Sequence, residues 1–88
     1  MTTLDKDFEQ AQGHAKNLNN DLDTEDLLRL YGLYKQANFG KNTNPKPSIF
    51  NFKGLQKWKA WTSVADLTKD EAKTQYIKVV AKLLEEYT

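Results

Sequence analysis

Leu27-Leu28-Arg29-Leu30-Tyr31-Gly32-Leu33-Tyr34-Lys35-Gln36-Ala37-Asn38-Phe39 is the stretch on which the fold turns. At about 100° per residue, Leu27, Leu30, Tyr31, Tyr34 and Asn38 fall together on a helical wheel, with Leu28, Leu33, Ala37 and Phe39 flanking them. The run is therefore an amphipathic helix. Asp23 or Thr24 supplies a side chain that can cap its free N–H groups, and Gly40 ends it, which predicts a helix over residues 24–39.

The pattern extends in both directions. Upstream, Leu4, Phe8, Ala11, Ala15 and Leu18 recur at steps of three and four, one stripe of a first helix over residues 4–18. The Asn- and Asp-rich run from Asn17 to Asp23 reads as the connection. Downstream, Gly40 to Phe52 contains Pro45, Pro47 and several Asn residues. It is longer than the usual link between packed helices and suggests a working loop. A third helix over residues 53–64 carries Trp58 and Trp61, aromatic residues whose helical spacing assigns them to the core. Thr68-Lys69-Asp70-Glu71 fits the reciprocal capping box. It opens a fourth helix over residues 68–87, with Ala72, Tyr76, Val79, Val80, Leu83, Leu84 and Tyr87 in one arc. The expectation is all-α, four helices around one core, in a single domain spanning residues 1–88.

The chain has 88 residues, no cysteine and a formal net charge of +1. That length suits one core. The lack of cysteine removes disulfides, thiolate metal sites and cysteine nucleophiles, and a cytoplasmic location is the default. The N-terminal residues Met1 to Asp7 lack a signal peptide's apolar stretch, and no run approaches the about 20 apolar residues of a membrane span. No stable membrane insertion is expected. The near-neutral charge gives no reason to expect nucleic-acid binding. Of 13 basic residues only Arg29 is arginine, so an anion site here would use lysine ammonium groups.

On the second helix Tyr31, Tyr34 and Lys35 stand at i, i+3 and i+4, so two phenols and an ammonium share one side. Two readings stay open for Lys35. It can lie along the edge of the apolar stripe with its charge in water, or it can join the phenol O–H groups around a phosphate. Lys53 and Lys57, one turn apart, could face the same anion or form a solvated edge. His14 stands alone on a polar face, so metal binding is not expected. The carboxylates fall on exposed faces or helix ends, and no glycine-rich phosphate loop or serine elbow is present. No residue stands out as catalytic, so the chain is not expected to be an enzyme.

The segments Leu28-Arg29-Leu30-Tyr31-Gly32-Leu33-Tyr34-Lys35-Gln36-Ala37 and Phe52-Lys53-Gly54-Leu55-Gln56-Lys57-Trp58-Lys59-Ala60-Trp61, in this order and separation, closely resemble the acyl-CoA-binding protein family. Tyr76-Ile77 is a third match, and the resemblance runs from about Phe8 to Leu84. It implies a four-helix bundle of up-down-down-up type, with a bowl whose rim binds the coenzyme A head and whose apolar groove shelters the acyl chain. The ligand-contacting positions it implies are Lys16, Tyr31, Tyr34, Lys35, Lys53, Lys57 and Tyr76, with Gly32 and Leu33 lining the site. On the family pattern Tyr31, Lys35 and Lys57 surround the ribose 3′-phosphate, Tyr34, Tyr76 and Lys16 meet the adenine region, and Lys53 borders the site. Leu28, Ile49 and Phe50 are the expected tail contacts.

The chain departs from the commoner family pattern in several places. Lys41 stands for aspartate, Asn38 for threonine and Ser48 for glycine. Ala65-Asp66 lack a glycine, and Asp21-Leu22 lack a lysine and proline. The resemblance implies a monomeric, non-catalytic carrier of medium- to long-chain fatty-acyl-CoA esters, with no cofactor and acyl-CoA bound only as ligand. The rival reading is a helical module that grips a partner helix.

Overall fold

Each helix start in the computed structural model, which describes residues 2–87, is set by a short side chain accepting from a backbone N–H three residues ahead. Thr2 Oγ1 accepts from Asp5 N, Asp23 Oδ1 from Asp26 N, and Asn51 Oδ1 from Gly54 N. Thr68 and Glu71 form the reciprocal box, with Thr68 N donating to Glu71 Oε1 at 2.9 Å and Glu71 N donating to Thr68 Oγ1 at 3.1 Å. The resulting helices are α1 (Thr3–Leu18), α2 (Thr24–Phe39), α3 (Phe52–Thr62) and α4 (Lys69–Tyr87), with no strand among the described residues. Residues 1 and 88 of the expected domain lie outside the described residues.

Four boundaries differ from expectation: α1 starts at Thr3 and not at residue 4, α4 starts at Lys69 because Thr68 is its cap, and both ends of the third helix move. The third helix starts one residue earlier and stops two earlier than 53–64, because Asn51 is its cap and the chain tightens after Thr62. There Ala65 N donates to Thr62 O and Leu67 N to Val64 O, bonds that span three residues and end the α-helical ladder. Gly40 ends α2 with φ of 76°, a conformation in which glycine carries no Cβ penalty.

Helix α4 packs against both α1 and α2, and α3 approaches the rest through α2 alone. The core is Phe8, Ala11, Ala15 and Leu18 of α1, Leu22, Leu30, Leu33 and Ala37, and Ala72, Tyr76, Val80 and Leu83 of α4. Trp61 is buried but stands outside this cluster, and Trp58 is only half-buried. Both do more than fill space. Trp61 Nε1 donates to Gly40 O and Trp58 Nε1 to Asn44 O, each at 2.8 Å, so the two indoles pin the long loop to α3.

The α2–α3 seam needs glycine for a steric reason. A Cβ at Gly32 would meet the Ala60 carbonyl, 2.8 Å from its carbon, so the two backbones could not approach as they do. Gln36, 2% exposed, donates from Nε2 to Leu67 O at 2.7 Å and ties α2 to the turn before α4.

Candidate functional site

Tyr31 and Tyr34 stand three residues apart on α2 and line the same cavity. Together with Leu27 and Leu30 of the same helix they form one wall of this cavity of about 660 Å³. Ala15 and Lys16 of α1, Tyr76 of α4 and Lys53 and Lys57 of α3 complete it, with Gln12 and Asn19. All four helices contribute, and the volume lies within the about 300–1,000 Å³ usual for small-molecule sites. Ala15, Leu30 and Tyr76 are buried and form the floor, while Lys16, Lys53 and Lys57 are exposed at the rim.

The phenols are held by ring packing. Phe8 stands edge-on to Tyr76 at 5.1 Å between centroids and tilted to Tyr34 at 6.4 Å, so one α1 side chain supports the rings from α2 and α4. Burial pushes the Tyr76 phenol above its usual value, and the Tyr34 phenol nearby adds to the shift. Tyr76 therefore keeps its O–H at neutral pH and can donate. Lys57 Nζ lies 5.3 Å from the Tyr31 ring centroid, which fixes one rim cation beside one phenol.

Six of the nine residues expected at the site line this one cavity: Lys16, Tyr31, Tyr34, Lys53, Lys57 and Tyr76. The other three do not. Gly32 is occupied by the close approach of Ala60. Leu33 is a core residue that also borders a second hollow with Leu28, Arg29 and Val79. Lys35 does not line the cavity. Its Nζ rests 4.5 Å from the Phe39 ring and 5.0 Å from the Trp61 ring, half-buried at the α2–α3 seam.

The expected tail contacts fall elsewhere as well. Leu28 borders the second hollow, and Ile49 and Phe50 stand out from the loop, 72% and 93% exposed. The apolar lining is instead Ala15, Leu27 and Leu30. The signal for the two leucines lies in the wheel, since Leu27, Leu30, Tyr31 and Tyr34 share one stripe; that stripe lines the cavity, and Leu30 belongs to the core as well. Among the described residues no group of three or more His, Cys, Asp or Glu could hold a metal ion, and no helix is long and apolar enough to cross a membrane.

A cavity with three phenols, three lysines and an apolar floor suits an amphiphile with an anionic, aromatic head. Comparison with known proteins gives that chemistry a context. The family model described as Acyl CoA binding protein matches residues 5–80. Acyl-CoA-binding domain-containing protein 2 of Oryza sativa subsp. japonica is 47% identical over 83 residues, covering 94% of this chain and 91% of the relative. The crystal structure of Oryza sativa Acyl-CoA-Binding Protein 2 superposes with a TM-score of 0.91 at 47% identity, over 94% of this chain and 90% of that one. Enoyl-CoA delta isomerase 2 of Rattus norvegicus is 42% identical over 83 residues, but this chain spans only 21% of its length. The match over most of the sequence, the shared four-helix architecture and the cavity lining agree, and the chain belongs to the acyl-CoA-binding protein family.

Proposed function

We propose that the cavity holds the coenzyme A head of a fatty-acyl-CoA ester and that the chain is a non-catalytic carrier of medium- to long-chain esters. The observation that carries this reading is the convergence of Tyr31, Tyr34, Tyr76, Lys16, Lys53 and Lys57 from all four helices on one cavity with an apolar floor. Phenol rings offer a purine a face to stack on, worth about 1–3 kcal/mol per base, and lysines supply charge-assisted donors to phosphate. Tyr31 and Lys57 hold the 3′-phosphate, and Tyr34, Tyr76 and Lys16 hold the adenine. Lys35, one turn beyond Tyr31, joins the phosphate by leaving the Phe39 and Trp61 rings.

The acyl chain follows the Ala15, Leu27 and Leu30 wall. Each buried methylene contributes about 0.8 kcal/mol, so affinity rises with chain length until the wall is covered. The carrier works as a monomer in the cytoplasm, shields the thioester and assigns no reaction to its own side chains.

Titration calorimetry with palmitoyl-CoA, free coenzyme A and palmitate tests this. The ester should bind tightly, coenzyme A much more weakly and palmitate very little, because head and tail both contribute. Palmitate binding as well as its ester would refute the head-group site. Lys35→Ala should cost about 2–5 kcal/mol of affinity and Lys82→Ala nothing measurable. Equal small effects would keep Lys35 on its rings.

A further inference from the structure

The net charge of +1 conceals a division. Residues 27–65 hold seven basic side chains and no carboxylate, whereas the rest of the chain holds six basic and all twelve acidic residues. Tertiary structure turns this into a surface. Helix α3 packs against α2 alone, and Trp58 and Asn42 fasten the 40–51 loop to α3. The loop and α3 thus form one carboxylate-free, basic region.

At the end of that loop Ser48 to Asn51 closes a tight turn, with Asn51 N donating to Ser48 O at 3.0 Å and Phe50 N to Ser48 Oγ at 3.1 Å. Asn51 is also the cap of α3, so the turn is anchored to a helix. Its two central residues are Ile49 and Phe50, at positions where Gly, Pro, Asn, Asp and Ser dominate. Phe50 is 93% exposed and Ile49 72%, and Phe52 follows at 67%. Neither Ile49 nor Phe50 lines the cavity or contributes to the core. A held turn that presents two large apolar side chains gains nothing in folding. Lys41 and Lys46, both exposed, lie on the same loop.

We propose that this turn is a membrane-docking tip. Ile49 and Phe50 enter the interfacial layer of an anionic phospholipid bilayer, and Lys41 and Lys46 lie against its headgroups. A convex turn offers no groove for a partner helix. Isoleucine cannot stack on a nucleobase, and the region's basic residues are lysines except Arg29. Apolar insertion combined with lysine attraction is the chemistry of reversible attachment to anionic lipid. The surface is separate from the cavity, so the proposal stands whether or not the acyl-CoA reading holds.

The test is co-flotation of the ligand-free chain with vesicles of phosphatidylcholine alone and of phosphatidylcholine mixed with phosphatidylserine. The chain should bind the mixed vesicles, not the neutral ones, and release as salt rises. Lys41→Glu with Lys46→Glu should weaken partitioning by about tenfold or more, since one basic residue near an anionic leaflet contributes about 1 kcal/mol, or about fivefold. Ile49→Ser with Phe50→Ser should weaken it by a similar factor. Both double variants should keep the wild-type melting curve and palmitoyl-CoA affinity. No binding to the mixed vesicles, or unchanged binding in either variant, would overturn the proposal. So would tighter binding to a single-stranded oligonucleotide than to vesicles, or self-association in the ultracentrifuge that Ile49→Ser with Phe50→Ser abolishes.

Discussion

One helix, α2, presents two faces with opposite fates. On the first, Leu33, Gln36 and Ala37 are each 2% exposed and meet the core and the turn before α4. On the second, Tyr31 is half-buried and Tyr34 is 40% exposed, and with Leu27 they look into the cavity. The usual preference is inverted, since an amide lies inside and an aromatic ring outside. Gln36 is half satisfied there: its Nε2 has a carbonyl partner, while its buried Oε1 has none among the described residues. Tyr34 packs its ring against Phe8 and is otherwise part of the cavity lining. Stability is concentrated on the first face, which leaves the second available for a ligand.

That division can be broken from the core side most forcefully. Leu33→Ala should cost about 2–5 kcal/mol in urea unfolding, the range for truncating a buried leucine. The folded fraction should still bind palmitoyl-CoA with wild-type affinity. A parallel loss of affinity at full folding would show that the two faces are coupled.

From the cavity side, Tyr31→Phe removes one hydroxyl and leaves the ring in place. We expect a loss of about 1.5–3 kcal/mol in calorimetric affinity, the range for hydrogen bonds to charged groups, with the melting temperature nearly unchanged. A stability loss with affinity intact would move Tyr31 to the core face.

Gly32→Ala sits between the faces and sharpens the comparison. The added methyl collides with the Ala60 carbonyl, so separating α2 from α3 should cost about 1–3 kcal/mol of stability. It should also lower ligand affinity, because Lys53 and Lys57 ride on α3. Unchanged affinity would mean that the two lysines act without fixed geometry.

The smallest effect lies away from both faces. Lys73 Nζ meets Asp5 Oδ1 at 2.6 Å and joins α1 to α4. The Lys73 ammonium, with the Thr2 hydroxyl second, holds the Asp5 carboxyl below its ordinary value of 3.8. A depressed carboxyl stabilises the fold above its unfolded pKa, and that contribution disappears as pH falls through the folded value. Asp5→Asn should therefore be slightly less stable than wild type near neutrality, with the two unfolding curves converging in acid. A constant gap down to strongly acidic pH would remove Asp5 ionisation from the account.

Much of the fold was legible because caps and stripes are local. Thr68 and Glu71 find each other across three residues whatever surrounds them, and Asp23 and Gly40 bound α2 by the same short-range chemistry. The tyrosines and lysines of the site were legible too, as residue types at helical spacing and through the family resemblance. Lys35 was not, because its two rings come from the end of α2 and from α3. The outward position of Ile49 and Phe50 was not legible either, because composition cannot distinguish an apolar residue that faces inward from one that a turn holds outward.

By itself, the sequence determined four helices, their caps, a long proline-containing loop and a lysine-based chemistry for any anion. Only tertiary structure decided which side of α2 met the core, why Gly32 must lack a side chain, and that residues from all four helices share one cavity. The physical reason is range. Hydrogen bonds over three or four residues and helical periodicity are written within one segment, whereas burial, ring contacts and cavity walls depend on segments that meet only when the chain has folded.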